Sequence, residues 1–220
     1  MSCFVVKISG HLIRDTQALK NLLNEIEKLV RENTKIVVVP GGSVFADYVR
    51  EIQKEIGFND DIAHWMAIKA MELYGIYIKH LSKSLVEAYT IEEIIEAFTK
   101  NLIPVAMPHK IMRQFDETPH TWDVTSDSIS IVIASKLKCK LVCLAKMVDG
   151  IINNRGELVE RLKADDVENM NQQVVDRYVP KLVKKYGISV AIFNATKPWI
   201  LRSIVNGLKD KYTLIFQFHF

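Results

Sequence analysis

Residues 35–50 read KIVVVPGGSVFADYVR. A β-branched apolar run stops at Pro40–Gly41–Gly42–Ser43, and a helical pattern starts at once. A short apolar run closed by proline and glycine is the mark of a buried strand. The glycines permit a tight turn into the next helix. This unit decides the fold because the chain repeats its plan. Comparable runs occupy 3–8, 103–107, 140–145, 189–193 and 212–218. Helical patterns lie between them. In 16–31, Leu19, Leu22, Leu23, Ile26, Leu29 and Val30 form one apolar face. Residues 60–78 form a longer pattern rich in alanine and methionine, and Thr90–Ile91–Glu92–Glu93 is a capping box. Apolar spacing predicts another helix over 174–183 and a last one over 197–209. Strands alternating with helices predict an α/β fold, a three-layer αβα sandwich with a mostly parallel central sheet. The run at 212–218 is expected at an edge, with an antiparallel orientation open.

The 220 residues favour one domain, 1–220, with two small ones left open. Hydrophobic residues make up 49% and charged residues 25%, a globular balance. The net charge of +3 is small and scattered, which argues against a nucleic-acid partner. FVVKISG is too short and polar for a signal peptide. No apolar run approaches the roughly 20 residues that span a bilayer. Cys3, Cys139 and Cys143 are odd in number and form no CxxC pair. They predict no disulfide framework and a reducing, cytoplasmic setting. Cys139 and Cys143 are read as core residues on one face of one strand.

Ligands of open α/β sheets bind at the carboxyl ends of strands. Two glycine turns are expected there: Lys7–Ile8–Ser9–Gly10–His11 and Pro40–Gly41–Gly42–Ser43. Neither is a P-loop or a GxGxxG turn. Both suit a phosphate, because glycine lets the backbone approach an anion and a helix N-terminus favours one. Lys7 interrupts an apolar strand and needs an anionic partner. It either snorkels at the strand end or supplies positive charge between the loops. Asp47 and Arg50 share a helix face, as a surface ion pair or as groups that meet an anionic substrate. In WDVTSDSIS (122–130), Thr125 or Ser126 caps a helix that begins near Asp127. One cap leaves hydroxyls to spare. With Lys146 and the Asp149–Gly150 turn they would form one rim for a nucleotide and Mg²⁺. His64 is either a packed histidine or an acceptor-site residue, and His11 lies in the first loop. His109, His120 and His219 are expected on the surface. No HExxH spacing points to a protein-held metal.

The order Lys7-x-x-Gly10, Pro40–Gly41–Gly42, TSDS and VDG resembles the amino acid kinase superfamily. Within it, PGGSVFADYVR (40–50), AHWMAIKAMELYG (63–75), WDVTSDSI (122–129) and FNATKPWILRSIVNG (193–207) are similar to the [5-(aminomethyl)furan-3-yl]methyl phosphate kinase group. The resemblance covers most of the chain. It implies a three-layer kinase that uses ATP and Mg²⁺ and assembles as a homodimer or higher homo-oligomer through its early helices. It implies that Lys7 and Asp127 are catalytic. Gly10, Gly41, Gly42 and Ser43 would bind phosphate. His11, Asp47, Arg50 and His64 would bind a small phosphorylated or carboxylated acceptor. Thr125, Ser126, Lys146, Asp149 and Gly150 would face the nucleotide. Four positions depart from the pattern: Ser9 and Ser43 replace glycines, His11 a small hydroxyl and Met147 an aspartate. These departures motivate a second reading, a nucleotide- or anion-binding sensor or subunit with altered catalysis. A dehydrogenase is disfavoured, because the first strand is not followed by GxGxxG.

Overall fold

The computed structural model describes residues 3–170 and 172–217. Among these, one eight-stranded sheet forms from β1 (Cys3–Ile8), β2 (Lys35–Pro40), β3 (Leu85–Ala88), β4 (Ile103–Ala106), β5 (Leu141–Lys146), β6 (Arg161–Lys163), β7 (Ser189–Asn194) and β8 (Thr213–Phe216). Their order is β3-β4-β2-β1-β5-β7-β8-β6. Neighbours run parallel except the β7–β8 pair. The helices are α1 (Thr16–Arg31), α2 (Ser43–Ile56), α3 (Asp60–Lys79), α4 (Ile91–Thr99), α5 (Pro108–Gln114), α6 (Ser126–Leu137), α7 (Ala164–Asn169), α8 (Val179–Tyr186) and α9 (Trp199–Val205).

Strand residues alternate between two cores, as a period of two requires. Val5, Val37, Val39, Val142 and Leu144 pack with α4, α5, α6 and α8 on one face. Val6, Ile8, Val38, Cys143 and Ala145 pack with α1 and α9 on the other. The α/β sandwich expected from the sequence is therefore present, with helices on both faces.

Where strand order reverses, loops diverge and leave a crevice at the carboxyl ends. Here the chain moves outward from β1 to β2, β4 and β3, then returns to the other side of β1 as β5. The crevice lies between β1 and β5. Lys7 and Lys146 belong to these two strands, and both share a face with Val142 and Leu144, the face covered by α6. The sheet itself thus aims two ammonium groups at one helix.

Several boundaries depart from the apolar pattern. The helix expected from 174 starts at Val179. A start at 174 would put Pro180 in the helix interior, where its ring clashes and it lacks an N–H. The last helix covers Trp199–Val205 rather than 197–209, set between Pro198 and Gly207, whose φ is 66°. The final strand is not at the edge, since the short exposed β6 pairs outside it. Its expected extension to 218 lies outside the described residues, as does His219. Strand β3 and strand β6 were not foreseen. Both are short, and β6, RLK, has no apolar run.

The cysteines correct the sequence reading. Cys139 precedes β5 and forms a disulfide with Cys3, their Cα atoms 5.0 Å apart. Cys143 is the buried core thiol expected, and burial pushes it up to about 12. The disulfide joins the start of β1 to the turn between α6 and β5. Closing a loop of sequence separation 136 restricts the unfolded chain. Cys139→Ser is expected to cost about 2–4 kcal/mol of stability in urea unfolding. The gap between the two proteins should close when both are measured in reductant.

Candidate active site

A buried ammonium group in a strand is tolerated only beside an opposite charge. Lys7 is 5% exposed, and its Nζ lies 2.9 Å from Asp127 Oδ1. Lys146 Nζ donates to Asp127 Oδ2 at 2.5 Å. Asp127 is 2% exposed and bridges the two strands' lysines from the first turn of α6. Burial alone would raise its carboxyl, but Lys146 and then Lys7 outweigh it and hold it at about 2. Lys7 responds differently: burial lowers its ammonium more than Asp127 raises it, and Lys146 lowers it further. The triad is charge-paired, yet its lysine carries the cost of desolvation.

The two glycine loops meet above Lys7. Gly41 N–H donates to Ile8 O at 2.9 Å. A Cβ on Gly10 would stand 2.3 Å from Ser43 N, and one on Gly41 would stand 2.6 Å from Gly10 N. Each loop is glycine because the other passes too close for a side chain. Ser43 takes φ 57°, the left-handed region that glycine favours, and its Oγ is buried without a partner. Ser9 is buried, with its N–H on Ala145 O at 2.9 Å and its O accepting from Tyr74 at 3.4 Å.

These groups form the floor of a cavity of about 650 Å³. Lys7, Gly10, His11, Gly42, Ser43, Asp47, Arg50, His64, Thr125, Ser126 and Lys146 line it. Gly41 is packed behind Gly10, and Asp127 behind the lysines. Apolar walls come from Ile13, Ala63, Ile68, Met71, Val124 and Ile129. Among the described residues no ion pair joins Arg50 to Asp47. Arg50 instead lays its guanidinium over Trp122, 4.2 Å from the ring centre. Trp122 is fixed by Gln53, which accepts its indole N–H at 2.6 Å and donates to Asp60 at 2.7 Å.

Asp149 and Gly150 do not line this cavity. Asp149 accepts from Lys197 at 2.7 Å and from Asn194 at 2.9 Å. The single rim expected for Asp127, Lys146 and Asp149 is thus split: Asp149 faces α9's approach, tied down by its own lysine. Gly150 packs against Thr213, where a Cβ would meet Oγ1 at 2.3 Å.

Two expectations about histidines change. His120 is not a free surface residue. Its ring nitrogens meet Asp61 and Asp116, and its ring stacks on His64 with centroids 4.2 Å apart. His109 packs edge-on against Trp65 at 5.8 Å. His64 is buried, with Nε2 unpartnered; burial and then His120 lower it to about 4, so it is neutral at neutral pH. His120 is raised, the carboxylates overcoming burial.

Two of the TSDS hydroxyls, those of Thr125 and Ser128, are also accounted for. Thr125 caps α6, its Oγ1 accepting from Asp127 N at 3.4 Å. The same hydroxyl donates to Asp176 at 2.9 Å, and Ser128 Oγ donates to Asp176 at 2.6 Å. Sequence reading passed over Asp176. Its only signal was a carboxylate set among Val174, Val175 and Val179.

The profile of the Amino acid kinase family matches residues 2–194. A [5-(aminomethyl)furan-3-yl]methyl phosphate kinase of Methanocaldococcus jannaschii is 32% identical over 214 residues, covering 96% of each chain. A uridylate kinase of Actinobacillus succinogenes is 24% identical over 226 residues, covering 94% of each. Among solved structures, UMP kinase from Bacillus anthracis superposes with TM-score 0.79 at 20% identity, over 99% of this chain and 97% of that one. Uridylate kinase from Archaeoglobus fulgidus gives 0.75 at 17% identity, over 98% and 100%.

Asp127→Asn would leave the buried Lys7 ammonium facing Lys146 with no carboxylate between them. The expected cost is about 3–5 kcal/mol at pH 7. The folded carboxyl, at about 2, lies below its unfolded value near ~3.9. The stabilisation is therefore complete above the unfolded value and lost as pH falls through about 2. Urea unfolding of both proteins should show a constant difference from neutral pH down to ~4 that narrows only below it.

Proposed function

The chain belongs to the amino acid kinase family, and within it we propose an enzyme that transfers the γ-phosphoryl group of ATP to a small phosphorylated or carboxylated acceptor. An aminomethylfuran methyl phosphate is the acceptor type that the named relative suggests. The observation that carries the reading is the Lys7–Asp127–Lys146 bridge beneath two interlocked glycine loops.

Phosphoryl transfer needs positioning and charge neutralisation more than covalent chemistry. An acceptor oxygen attacks the γ-phosphorus, the bond to the β–γ bridging oxygen breaks, and ADP leaves with that electron pair. In this reading the Lys7 ammonium faces the transferring group, and Lys146 faces the nucleotide phosphates. Asp127 orients both lysines and takes no proton, because each of its oxygens is engaged by an ammonium group. A phosphate or carboxylate acceptor oxygen is already anionic and needs no general base, which fits such a floor. Gly10, Gly42 and Ser43 offer backbone to the phosphates, while Gly41, its N–H taken by Ile8 O, lets the two loops pass closely. Arg50, held flat on Trp122, presents its guanidinium edge to the acceptor's own anionic group, with His11, Asp47 and His64 around the acceptor body. Thr125, Ser126, Asp149 and Gly150 belong to the nucleotide side, where Asp149 holds Lys197.

Among the described residues no group of three or more His, Cys, Asp or Glu is placed to hold a metal ion. Both Asp127 oxygens are engaged by lysines, so Mg²⁺ would arrive with the triphosphate and be held by phosphate and water oxygens. Bound so, it would neutralise phosphate charge beside Asp127. We further propose a homodimer or higher homo-oligomer. Ile62, Met66, Leu73 and Ile76 form an exposed apolar stripe along α3. No described helix is long and apolar enough to cross a membrane.

ADP release with Mg-ATP should appear with one or more members of a panel of phosphorylated and carboxylated acceptors. Lys7→Ala should lower kcat by about 10²–10³-fold. Arg50→Ala should raise the acceptor KM with little change in kcat. Tight ATP binding without turnover on any acceptor would favour the sensor reading instead. Light scattering should give at least twice the 25.2 kDa chain mass. A monomer at micromolar concentration would remove the oligomer proposal.

A further inference from the structure

We infer that Asp176 is the positioning residue of the phosphoryl-transfer site: it locks the first turn of α6 so that Asp127 stands between Lys7 and Lys146. The inference rests on the kinase reading above, which assigns Lys7 and Asp127 their roles.

Asp176 precedes α8 and is half-buried. Its Oδ2 accepts from Thr125 N at 2.9 Å, Thr125 Oγ1 at 2.9 Å and Ser128 N at 3.0 Å. Its Oδ1 accepts from Ser128 Oγ at 2.6 Å and from Tyr178 N and Val179 N at 3.1 Å. Each oxygen thus meets two backbone N–H groups, which can only donate, and a hydroxyl. Burial and then Asp127 raise the Asp176 carboxyl, and the bonds from Ser128 and Thr125 oppose that rise and favour the carboxylate. This cage of donors also gathers the positive ends of α6 and α8 onto one charge. Thr125 and Ser128 flank Asp127, so the same bonds set where Asp127 points.

A simple cap needs one carboxylate oxygen and one helix. Two further facts exceed that need. Lys7 feels the charges of Asp127, of Lys146 and, more weakly, of Asp176. With all four groups ionised, two ammonium groups and two carboxylates sum to zero, so without Asp176 the cluster would carry an excess positive charge. In addition, Gln173 and Val174, just before Asp176, line the cavity. The carboxylate therefore ties a cavity wall to the triad.

The test uses full-length protein carrying lysine labelled with 13C at Cε, with the Lys7 resonance assigned through Lys7→Arg. In Asp176→Asn, Lys7 should titrate about one pH unit lower than in the wild type, because an opposing charge is gone. Its kcat should fall about 10- to 100-fold, with KM for ATP within about twofold. Ser128→Ala keeps the charge but loosens the turn. It should move Lys7 in the same direction by less and lower kcat by less. A folded Asp176→Asn with wild-type Lys7 titration overturns the inference. If that variant does not fold, Ser128→Ala decides, and wild-type Lys7 titration there overturns it equally. Absence of turnover in the wild type would sink the kinase reading while leaving the titration to judge this one.

Discussion

An ammonium group inside a parallel sheet dictates most of what surrounds it. Lys7 lies in the strand with β-sheet neighbours on both sides, so its charge cannot reach water along the backbone. It needs a carboxylate on the face to which it points. That face is covered by α6, and only the first turn of α6 lies level with the carboxyl end of β1. Asp127 occupies that turn. A second lysine, Lys146, arrives from the adjacent strand on the same face and takes the remaining oxygen. Pairing at such depth offsets a desolvation penalty of several kcal/mol per ion. The arrangement is therefore a costly one to keep for stability alone, and it lies at the topological switch point, where ligands of such sheets bind.

The loops above the triad follow from the same geometry. β1 and β2 are hydrogen-bonded neighbours, so the turns that leave them must pass each other within one strand spacing. Gly10 and Gly41 meet where neither tolerates a Cβ. Ser43 bears the remaining strain at φ 57°. The result is backbone packed close over two ammonium groups, with an apolar cavity to one side. Arg50 enters that cavity already stacked on Trp122, which restricts its side chain in advance.

Much of this was legible in the chain. The β-branched runs and glycine turns announced a parallel sheet, because strands buried on both faces read as continuous apolar stretches. Lys7 stood out as a charge in such a stretch, and Thr125 as a cap. What misled was equally physical. The spacing of Val174, Val175, Tyr178 and Val179 imitates a helix, yet Pro180 and the bonds to Asp176 delay the helix to Val179. Cys3 and Cys139 are too far apart in sequence for their pairing to be read. Their contact exists only because β1 and β5 are neighbours. His120 read as a surface histidine, since neither Asp61 nor the ring of His64 is near it in the chain.

The sequence by itself determined the alternation of strands and helices, the turns at the strand ends and the identity of the buried lysine. These are local matters, set by periodicity, glycine freedom and the cost of an unpaired charge. Only the tertiary structure decided which residues answer that charge. Strand order brings β5 beside β1, and packing lays α6 across both. Asp176 then pins α6 from a loop 51 residues beyond Thr125. Asp149, equally acidic and beside a strand end, is drawn to Lys197 instead. Carboxylates look alike in a sequence. Their roles are set by which ammonium and N–H groups the fold brings within hydrogen-bonding distance, and that distance is a property of the packed sheet.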